Sequence, residues 1–444
     1  MCLKMQDYQN ILKVKRLISL KNEKTLFEKF FEKYEGVWDF SLDRIKKAIL
    51  EAKLKSIYQN KFTILILGSN GKGSTAYLLK SLMFKYFPNL KVGLFTSPHL
   101  FSFKERFLIN FNFFDTSKID KSFLDLLPII KKYKLTYFEA TFLLALKLFK
   151  ETHIVIFEAG LGGRLDATNA ISHNLYILTS ISKEHTNILG NSLEKIAFEK
   201  LSAVRKNSTL ILGEKAFYNL AKKFTNSIYV YEEDFYIKDD KFLDRKENLT
   251  IKLNLEKDIF HNHKAIALAL KAFFEMFKGK KVNISSIFIN SQDYPPFRTQ
   301  KLTFDNKVLL FDVSHNEESL YRLYKFLKNY RKNNFLNFFF TFMKDKEINI
   351  INKFFKTFKN SNFHFISIPY FRALKFDEFL KIVKNKQALK KLSKNIYLVN
   401  NSIVLKNLYP YQISSSYLKN KVNIFFGSFY LYNYLKLNEL LSFK

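Results

Sequence analysis

The sequence contains a single cysteine, Cys2, among its 444 residues. One cysteine can form neither an internal disulfide nor a cysteine-based metal cluster, so we exclude both and expect a reducing, cytoplasmic compartment. Charged residues interrupt the start of the chain, and no secretory signal is predicted there. The longest charge-free apolar stretch, at about 333–343, is too short to cross a bilayer. We therefore expect no membrane partner.

Acidic residues are scarce relative to basic ones. The chain has 40 Asp and Glu against 73 Lys and Arg, which gives a net charge of +33. Such a charge is typical of proteins that bind nucleic acid. The lysines are nevertheless spread along the whole chain, and Lys, Asn, Ile, Phe and Tyr are abundant together, as an AT-biased genome would encode. We therefore expect no nucleic acid as the main partner, and we assign the charge the smaller role of attracting anionic substrates.

The most informative segment spans residues 64–79 and reads ILILGSNGKGSTAYLL. Its first four residues form an apolar run with the length and composition of a buried parallel strand. Three glycines follow, and apolar residues then recur at helical spacing from about Ser74. Because glycine has no side chain, such a loop can bring backbone N–H groups close to an anion, and a helix N-terminus adds to the attraction. The segment therefore predicts a phosphate-binding loop.

Two side chains of this loop have predicted roles in nucleotide chemistry. Lys72 supplies a point charge for phosphate oxygens, and the Ser74 hydroxyl can bind Mg²⁺. The strict pattern G-x-x-x-x-G-K-[ST] is not met, because Ile66 stands at the first glycine and Gly73 separates Lys72 from Ser74. The shorter form G-S-N-G-K-G-S is a variant of that pattern. The alternative is a glycine-rich turn with an exposed lysine.

Polar motifs follow three further strand candidates, and α/β sheets bind ligands at the carboxyl ends of parallel strands. The strand at 91–95 leads into TSPHL, where His99 is either a ligand contact or an ordinary loop histidine. The strand at 154–158 ends in Glu158, which is well placed to hold Mg²⁺ beside a phosphate loop. A strand that simply ends in a turn would explain the glycines that follow but not Glu158. The next strand leads to His185, which is either a ligand or a structural histidine.

Two other motifs have simpler explanations. Thr136 and Glu139 have the spacing of a capping box, so Glu139 is expected to accept the Thr136 backbone N–H. The pair His261 and His263 is only a weak metal signal and is expected to open a helix.

The length and the alternation of elements predict two domains. A chain of 444 residues exceeds one ordinary domain, and its 47% hydrophobic residues can fill two cores. Apolar strands alternate with amphipathic helices on both sides of a proline-marked break at 293–298, with a small β excursion at 228–256. We predict an α/β fold, with a P-loop-type, mostly parallel sheet domain at 1–295 and a smaller Rossmann-like α/β domain at 296–444.

Eight motifs occur in the order of one family: GSNGKGST, TSPHL…ERF, YFEATFLLAL, FEAGLGGRLDATN, EH…LG…IAFEK, FR, DVSHN and GSFYL. The sequence resembles bacterial dihydrofolate synthase/folylpolyglutamate synthase, within the Mur-ligase superfamily of ATP-dependent amide ligases. The resemblance runs from about residue 42 to 441. It implies a ligase of folate biosynthesis that joins L-glutamate to dihydropteroate, to tetrahydrofolate, or to both. In that reaction ATP phosphorylates the acceptor carboxylate, and the glutamate amine then displaces phosphate.

The resemblance also implies site residues. Lys72 would contact the β- and γ-phosphates, Ser74 and Glu158 would hold one Mg²⁺, and His185 would hold a second. The implied ATP-binding set is Ser69, Asn70, Gly71, Lys72, Gly73, Ser74, Thr75, Asn262, Arg298 and Asp312. The implied catalytic set is Lys72, His185, Lys200 and His315, and the implied substrate-binding set is Ser97, Pro98, His99, Arg106, Arg164 and Asp166.

Three of these residues lie beyond the predicted domain break. Arg298 would contact the nucleotide across the boundary, as Asn262 would from the first domain. Asp312 and His315 would help to close over ATP and to position the incoming glutamate. Small-molecule substrates are the only partners expected, and a monomer is expected.

Lys200 is a special case within the resemblance. Family members carry a lysine at this point, and in several of these ligases it is modified to a carbamate. An ammonium beside a second Mg²⁺ would repel it, whereas a carbamate offers the anionic oxygens that hard cations prefer. The alternative is an ordinary surface lysine paired with Glu199 or Glu194.

Five positions depart from the family pattern. Ser69 replaces Thr, Glu184 replaces the Asp before His185, Phe297 replaces the Gly before Arg298, and Val313 and Glu317 replace Gly and Pro. The changes at Phe297 and Val313 can alter backbone conformation in the second domain.

Two other functions remain alternatives. The nearer is another Mur-type amide ligase that acts on a UDP-linked peptidoglycan precursor, and the more distant is a nucleic-acid-binding ATPase. Motifs of this kind leave open whether the enzyme makes only the first glutamyl bond or also extends the chain.

Overall fold

In the computed structural model the chain divides into two compact units. The P-loop unit comprises Asn22–Lys257 and His261–Pro295, and the C-terminal unit comprises Met1–Lys21, Asp258–Phe260 and Pro296–Lys444. The structure describes residues 5–20, 23–32, 41–257, 261–279, 284–304, 307–330, 336–359, 361–384, 387–393, 395–399, 403–413, 418, 422–435 and 437.

The elements alternate as an α/β fold requires. The first part of the chain contains α1 (Met5–Ser19), α2 (Leu26–Phe31), α3 (Asp43–Glu51), α4 (Lys55–Gln59), β1 (Phe62–Leu67), α5 (Lys72–Tyr86), β2 (Val92–Phe95), β3 (Phe107–Ile109), β4 (Asn112–Phe113), α6 (Thr116–Lys132), α7 (Tyr137–Leu148) and β5 (Ile154–Glu158). The middle part contains β6 (Leu175–Leu178), α8 (Thr186–Leu189), α9 (Leu193–Leu201), β7 (Thr209–Leu212), α10 (Tyr218–Ala221), β8 (Ser227–Val230), β9 (Phe235–Lys238), β10 (Lys241–Asp244), β11 (Leu249–Leu255), α11 (His263–Met276) and β12 (Ser286–Ile289).

The last part of the chain lies in the C-terminal unit. It contains β13 (Gln300–Phe304), β14 (Lys307–Phe311), α12 (Glu317–Tyr330), β15 (Leu336–Phe340), α13 (Ile351–Thr357), β16 (Asn362–Ile366), α14 (Phe376–Lys384), β17 (Leu389–Ser393), β18 (Ile396–Val399), β19 (Ile403–Leu408), β20 (Val422–Phe426) and α15 (Leu431–Tyr434).

The main sheet of the P-loop unit has the order β4-β3-β2-β5-β1-β6-β7-β8. From β2 to β8 the neighbouring strands are parallel, and β3 and β4 extend one edge as antiparallel strands. The central strands are apolar runs because helices cover both faces of such a sheet. Their carboxyl ends therefore bring the loops after β1, β2, β5 and β6 to a single edge, as the sequence predicted. The small β excursion is also confirmed, since β9 to β12 form a second sheet.

The C-terminal unit is built around a second mixed sheet, with the order β13-β14-β20-β15-β16-β19-β18-β17. Its central strands β14, β20, β15, β16 and β19 are parallel. The core is aromatic: Phe338 stacks on Phe363 at 4.6 Å between ring centroids, and Phe354 stacks on Phe426 at 5.5 Å. Many of the 50 phenylalanines are therefore core residues. Within the described part of the chain, no helix has both the length and the apolar character needed to cross a bilayer.

Candidate active site

The glycines of the loop after β1 are required by the backbone. Gly68 has φ 138° and Gly71 has φ 91°, both in a region that side-chain-bearing residues rarely adopt. A Cβ at Gly68 would also overlap the Thr179 hydroxyl. Gly71 immediately precedes α5, so the loop leads directly into the helix N-terminus. This is the predicted strand, glycine loop and helix of a phosphate site.

Hydroxyl residues that follow β6 hold this loop in place. The Ser69 N–H donates to the Ser180 carbonyl at 2.8 Å, and the Asn70 N–H donates to Ser180 Oγ at 2.9 Å. Ser69 Oγ accepts the Ser182 N–H at 3.0 Å, and Thr179 donates to the Asn70 carbonyl at 2.8 Å. Sequence reasoning missed these three hydroxyl residues, although a TS-x-S segment after a parallel strand was a usable signal.

Lys72 folds back over the loop. Its ammonium donates to the Gly68 carbonyl at 2.8 Å and to the Ser69 carbonyl at 3.2 Å. These are neutral acceptors, so a phosphate oxygen is a stronger partner for the same ammonium. Ser74 and Thr75 are buried in the first turn of α5. Thr75 Oγ1 has no hydrogen-bond partner among the described residues.

Glu158, the predicted metal ligand, lies beside the phosphate loop. It ends β5 in register with Ile66 of β1, and its carboxylate oxygens are 3.4 and 3.5 Å from the place where a Cβ on Gly73 would be. Oε2 accepts the Ser97 N–H at 3.1 Å. Among the described residues, no three His, Cys, Asp or Glu side chains converge as a metal cage. Ser74 and Glu158 nevertheless offer the oxygen donors that suit Mg²⁺, which also takes ligands from substrate phosphates and water.

Lys200 is buried, with 1% of its surface exposed. Its ammonium forms an ion pair with Glu184 at 2.8 Å and donates to the Gly68 carbonyl at 3.1 Å. Burial lowers the pKa of Lys200, and the charge of Glu184 opposes that change. Burial also acts to raise the pKa of Glu184, but Lys200 and Lys72 outweigh it and bring that pKa to about 2. The surface-lysine alternative is therefore wrong, because Lys200 borders the phosphate loop.

The loop after β5 packs on the backbone of Lys200. A Cβ on Gly163 would lie 2.7 Å from the Lys200 carbonyl oxygen. Asp166 is buried and accepts the N–H groups of Gly160 at 3.0 Å and Leu161 at 2.8 Å. Burial raises the pKa of Asp166. These contacts give Asp166 a role in shaping the loop, and its predicted contact with substrate stays a prediction.

Arg164 and His185 are more accessible to solvent than Asp166 and Lys200. Arg164 is exposed and pairs with Glu199 at 2.9 Å, which also removes Glu199 as the partner considered for Lys200. His185 is half-buried, directly follows Glu184 and has φ 46° at the start of α8. The predicted metal role of His185 and the substrate role of Arg164 stay predictions.

Asn262 faces the phosphate loop although it is almost 200 residues away in sequence. Its Nδ2 is 3.9 Å from the place where a Cβ on Gly71 would be, and its Oδ1 accepts the Ala265 N–H at the start of α11. The cap fixes the amide oxygen and leaves the amide nitrogen toward the loop.

The motif after β2 forms a closed loop. The Ser97–Pro98 peptide bond is cis, and Arg106 donates from Nε to His99 Nδ1 at 2.9 Å. The buried Glu105, which sequence reasoning passed over, accepts the N–H groups of Leu100, Phe101 and Ser102. The substrate role predicted for Ser97, Pro98, His99 and Arg106 stays a prediction.

In the C-terminal unit, the carboxylate of Asp312 forms hydrogen bonds with neighbouring residues of the same unit. Its carboxylate accepts the N–H and hydroxyl of Thr299, both at 2.8 Å, and the Ser314 N–H at 2.7 Å. Phe297 has φ 59° and stacks at 4.7 Å on Phe311. The backbone thus keeps the left-handed conformation that glycine would suit, and aromatic packing stabilises it.

Two other predicted residues of this unit lie around Phe429. The His315 ring is 5.7 Å from that of Phe429, and the Arg298 guanidinium lies over the same ring at 5.2 Å. His315 Nδ1 is 2.8 Å from the Val313 carbonyl and so carries the ring proton. A cavity of about 380 Å³ at the ends of β15 and β16 is lined by other residues, among them Lys344, Tyr370 and Lys375.

Known proteins resemble this chain in sequence and in fold. No protein-family model matches the sequence. The dihydrofolate synthase/folylpolyglutamate synthase of Buchnera aphidicola from Acyrthosiphon pisum is 30% identical over 432 residues, which cover 95% of this chain and 98% of the relative. The Haemophilus influenzae protein of the same name is 40% identical over 178 residues, and this alignment covers 40% of each chain.

Solved structures have the same fold. Escherichia coli FolC in complex with DHPP and ADP matches with a TM-score of 0.75 at 24% identity, over 91% of this chain and 94% of that chain. A bifunctional folylpolyglutamate synthase/dihydrofolate synthase with Mn, AMPPNP and L-glutamate bound matches with a TM-score of 0.73 at 20% identity, over 92% and 96%.

The P-loop, the carboxylate beside it and these similarities define an ATP-dependent acid–amino-acid ligase of the Mur-ligase fold. Within that class, the chain belongs to the dihydrofolate synthase/folylpolyglutamate synthase family.

Proposed function

We propose that this enzyme adds L-glutamate to dihydropteroate, to tetrahydrofolate, or to both, through an acyl phosphate. The observation that carries the proposal is the arrangement of Lys72, Glu158 and Lys200 around one glycine loop at the carboxyl edge of the sheet. Such an arrangement can hold the phosphates of ATP and stabilise charge on a transferring phosphoryl group. The relatives' names supply the acceptor and the amino acid.

The reaction proceeds in two steps, phosphoryl transfer to the acceptor and then amide bond formation. A carboxylate oxygen of the acceptor attacks the γ-phosphorus, the bond to the β-phosphate oxygen breaks, and ADP leaves. The glutamate amine then attacks the acyl carbon and loses a proton, and phosphate leaves with the carboxylate oxygen. In the first step the Lys72 ammonium exchanges its two carbonyl partners for phosphate oxygens. A Mg²⁺ held by Ser74 and Glu158 would neutralise phosphate charge.

The C-terminal unit contributes residues by resemblance to the family. Arg298 would bind the nucleotide, and Asp312 and His315 would position glutamate. His315 supports this role, because its Nδ1–H donates to a carbonyl and Nε2 is then the acceptor nitrogen of the ring. Asp312 would act indirectly, since Thr299 and Ser314 already occupy its carboxylate.

We also propose that Lys200 is carbamylated in the active enzyme. Carbamylation requires a neutral amine, which attacks CO₂, forms an N–C bond and releases one proton. Burial lowers the pKa of Lys200 and so favours that neutral form. The ion pair with Glu184 opposes it, and the modified side chain would have to give up this partner. Loss of activity in Lys200→Ala, partly restored by a short-chain carboxylic acid, supports the carbamate. Full activity of that variant in CO₂-depleted buffer excludes it.

The direct test of the function is an assay of the purified protein with ATP, glutamate and one acceptor at a time. Glutamyl products from dihydropteroate, from tetrahydrofolate or from both support the proposal and identify the acceptor. Product formed only from a UDP-linked peptide would support the other Mur-type ligase instead. ATP turnover stimulated by nucleic acid without glutamate would support the ATPase alternative.

A further inference from the structure

Hydrogen bonds hold the loop that follows β2 at both ends, and one of them joins the loop to the proposed metal ligand. The Ser97 N–H donates to the Glu158 carboxylate, and Glu158 lies against Gly73 of the phosphate loop. At the other end of the loop, the Thr96 N–H donates to the Arg106 carbonyl at 3.1 Å. Glu105 fills the interior, where it accepts three successive backbone N–H groups. His99 therefore has a fixed position close in sequence to the contact with Glu158.

Arg106 determines which nitrogen of His99 carries the proton. Its Nε–H donates to Nδ1 of His99 at 2.9 Å. An arginine is always protonated, so Nδ1 must be an acceptor and the ring must be the neutral Nε2–H tautomer. Burial and the adjacent guanidinium both lower the pKa of His99, which keeps the ring neutral. The ring of Phe103 packs edge-on against His99, at 6.3 Å and 89°.

Arg106 and His99 both have N–H groups that can still donate hydrogen bonds to a ligand. Arg106 has only 7% of its surface exposed and lies near the rings of Phe103 and Tyr137, at 5.9 and 5.5 Å. Within the part of the chain that the structure describes, no carboxylate forms an ion pair with Arg106, and its terminal nitrogens have no hydrogen-bond partner. Nε2 of His99 likewise has no partner there. A buried guanidinium without an anion is costly unless a ligand supplies one.

We infer that Arg106 is a positioning residue that holds His99 as an Nε2–H donor, and that the pair binds the carboxylate of the acceptor substrate. A carboxylate suits this pair, because a guanidinium and an N–H donor can share its two oxygens. The location also suits it, since the carboxylate that receives phosphate has to lie beside the phosphate loop and Glu158. This inference rests on the proposed function and names the substrate group that the loop recognises.

Paired variants separate the two nitrogens of His99. The amide of Gln places an N–H near the Nε2 position, whereas the amide of Asn places it near Nδ1. We expect Arg106→Met and His99→Asn each to raise the KM for the acceptor by about 10–100-fold, the usual range for one charge-assisted hydrogen bond. His99→Gln should raise it less. The KM values for ATP and glutamate should not change, and a rise confined to glutamate would assign the pair to the other substrate and overturn the inference.

Matched controls exist in the same unit. His153 is exposed and also accepts at Nδ1, from the Lys91 N–H at 2.9 Å, so His153→Asn tests the same substitution outside the loop. Arg245 lies over the Tyr236 ring at 4.7 Å, so Arg245→Met removes a comparable cation. Both controls should leave all three KM values at the wild-type level.

A tautomer measurement is independent of activity. In the full chain labelled with ¹⁵N-histidine, the His99 signals, identified by their loss in His99→Gln, should show an Nε2–H tautomer in the wild type. In Arg106→Met they should show a mixture of tautomers. A fixed Nδ1–H tautomer in the wild type, or an unchanged tautomer in Arg106→Met, contradicts the positioning role. If the wild type makes no glutamyl product, the proposed function fails, and the tautomer still decides the role of Arg106.

Discussion

Lys72 is the side chain on which phosphoryl transfer should depend most directly. Its ammonium donates to the carbonyls of Gly68 and Ser69. A bound phosphate would replace these carbonyls as the partners of the ammonium. We expect Lys72→Ala to lower turnover by about 10²–10³-fold, the usual effect of losing one charge stabiliser. The thermal unfolding temperature should stay close to that of the wild type. Lys121→Ala, an exposed lysine of α6, is the control and should keep full turnover. Near wild-type turnover in Lys72→Ala would end the assignment of this loop as the phosphate site.

Glu105 should give the protein a distinctive dependence on pH. Burial raises its pKa to about 7, from an ordinary value of 4.5. Between these values the folded state binds more protons than the unfolded state, so the contribution of Glu105 to stability falls as pH rises from 4.5 to 7. Glu105→Gln cannot titrate, although it keeps the oxygen that accepts the N–H groups of Phe101 and Ser102.

The measurement for Glu105 is the urea midpoint of both proteins at several pH values from 4.5 to 8. The wild type should lose more stability across that interval than Glu105→Gln. Parallel curves for the two proteins would show that Glu105 has the same affinity for protons in the folded and unfolded states.

Some side chains could be assigned from the sequence and some could not. Lys72, Glu158 and Asn262 were found by motif, and the structure brings all three to one loop. Thr179 and Ser180 were missed because their contacts with Asn70 join positions about 110 residues apart, and hydroxyl residues are common in loops. The sequence does not show that Lys200 is buried, because a lysine ordinarily lies on the exposed face of a helix such as α9.

The glycine loop after β5 works as a spacer between a strand and a helix. A Cβ at Gly163 would lie 2.7 Å from the Lys200 carbonyl oxygen and 3.0 Å from Leu67 Cδ2. Gly163→Ala should therefore push α9 away from the phosphate loop and displace the Lys200 ammonium. We expect a loss of about 1–3 kcal/mol in the free energy of unfolding, as for other overpacked sites, together with reduced turnover.

Gly279→Ala is the matched control for Gly163→Ala. Gly279 has φ 80°, and a Cβ there would meet nothing within 4 Å. This variant should cost about 1–2 kcal/mol of backbone strain and leave turnover unchanged. If Gly163→Ala keeps full turnover as well, the loop does not control the position of Lys200.

Local sequence signals predicted most segments. The apolar run before Gly68 is β1, and the capping box at Thr136 is formed, with the Thr136 N–H donating to Glu139 at 2.8 Å. Ser41 is a residue type that commonly caps helices, but the N-cap residue of α3 is Leu42, whose side chain makes no capping hydrogen bond. Ser41 Oγ still accepts the Asp43 N–H. Helix ends are set by local hydrogen bonds that a hydrophobic pattern does not encode.

The described part of the chain follows the predicted α/β plan, and the pairing of distant segments is the hardest part of that plan to predict. Helix α1 packs against β13, almost 300 residues later, and belongs to the C-terminal unit. The sequence had assigned it to the first domain, because adjacency along the chain was the only guide. Its buried residues Ile11, Val14 and Leu17 are spaced for a helix, but their spacing does not say which core they fill.

The fate of the acceptor's carboxylate oxygen tests the proposed ligase reaction most directly. The purified protein is supplied with ATP, glutamate and the acceptor that it uses, dihydropteroate or tetrahydrofolate, labelled with ¹⁸O in the reacting carboxylate, and the released phosphate is examined by mass spectrometry. An acyl phosphate intermediate transfers one ¹⁸O to phosphate for each amide bond formed, and Lys72→Ala should suppress label transfer and amide formation together. Amide formation with all of the label retained in the folate product, or ATP hydrolysis without any amide product, would contradict the mechanism.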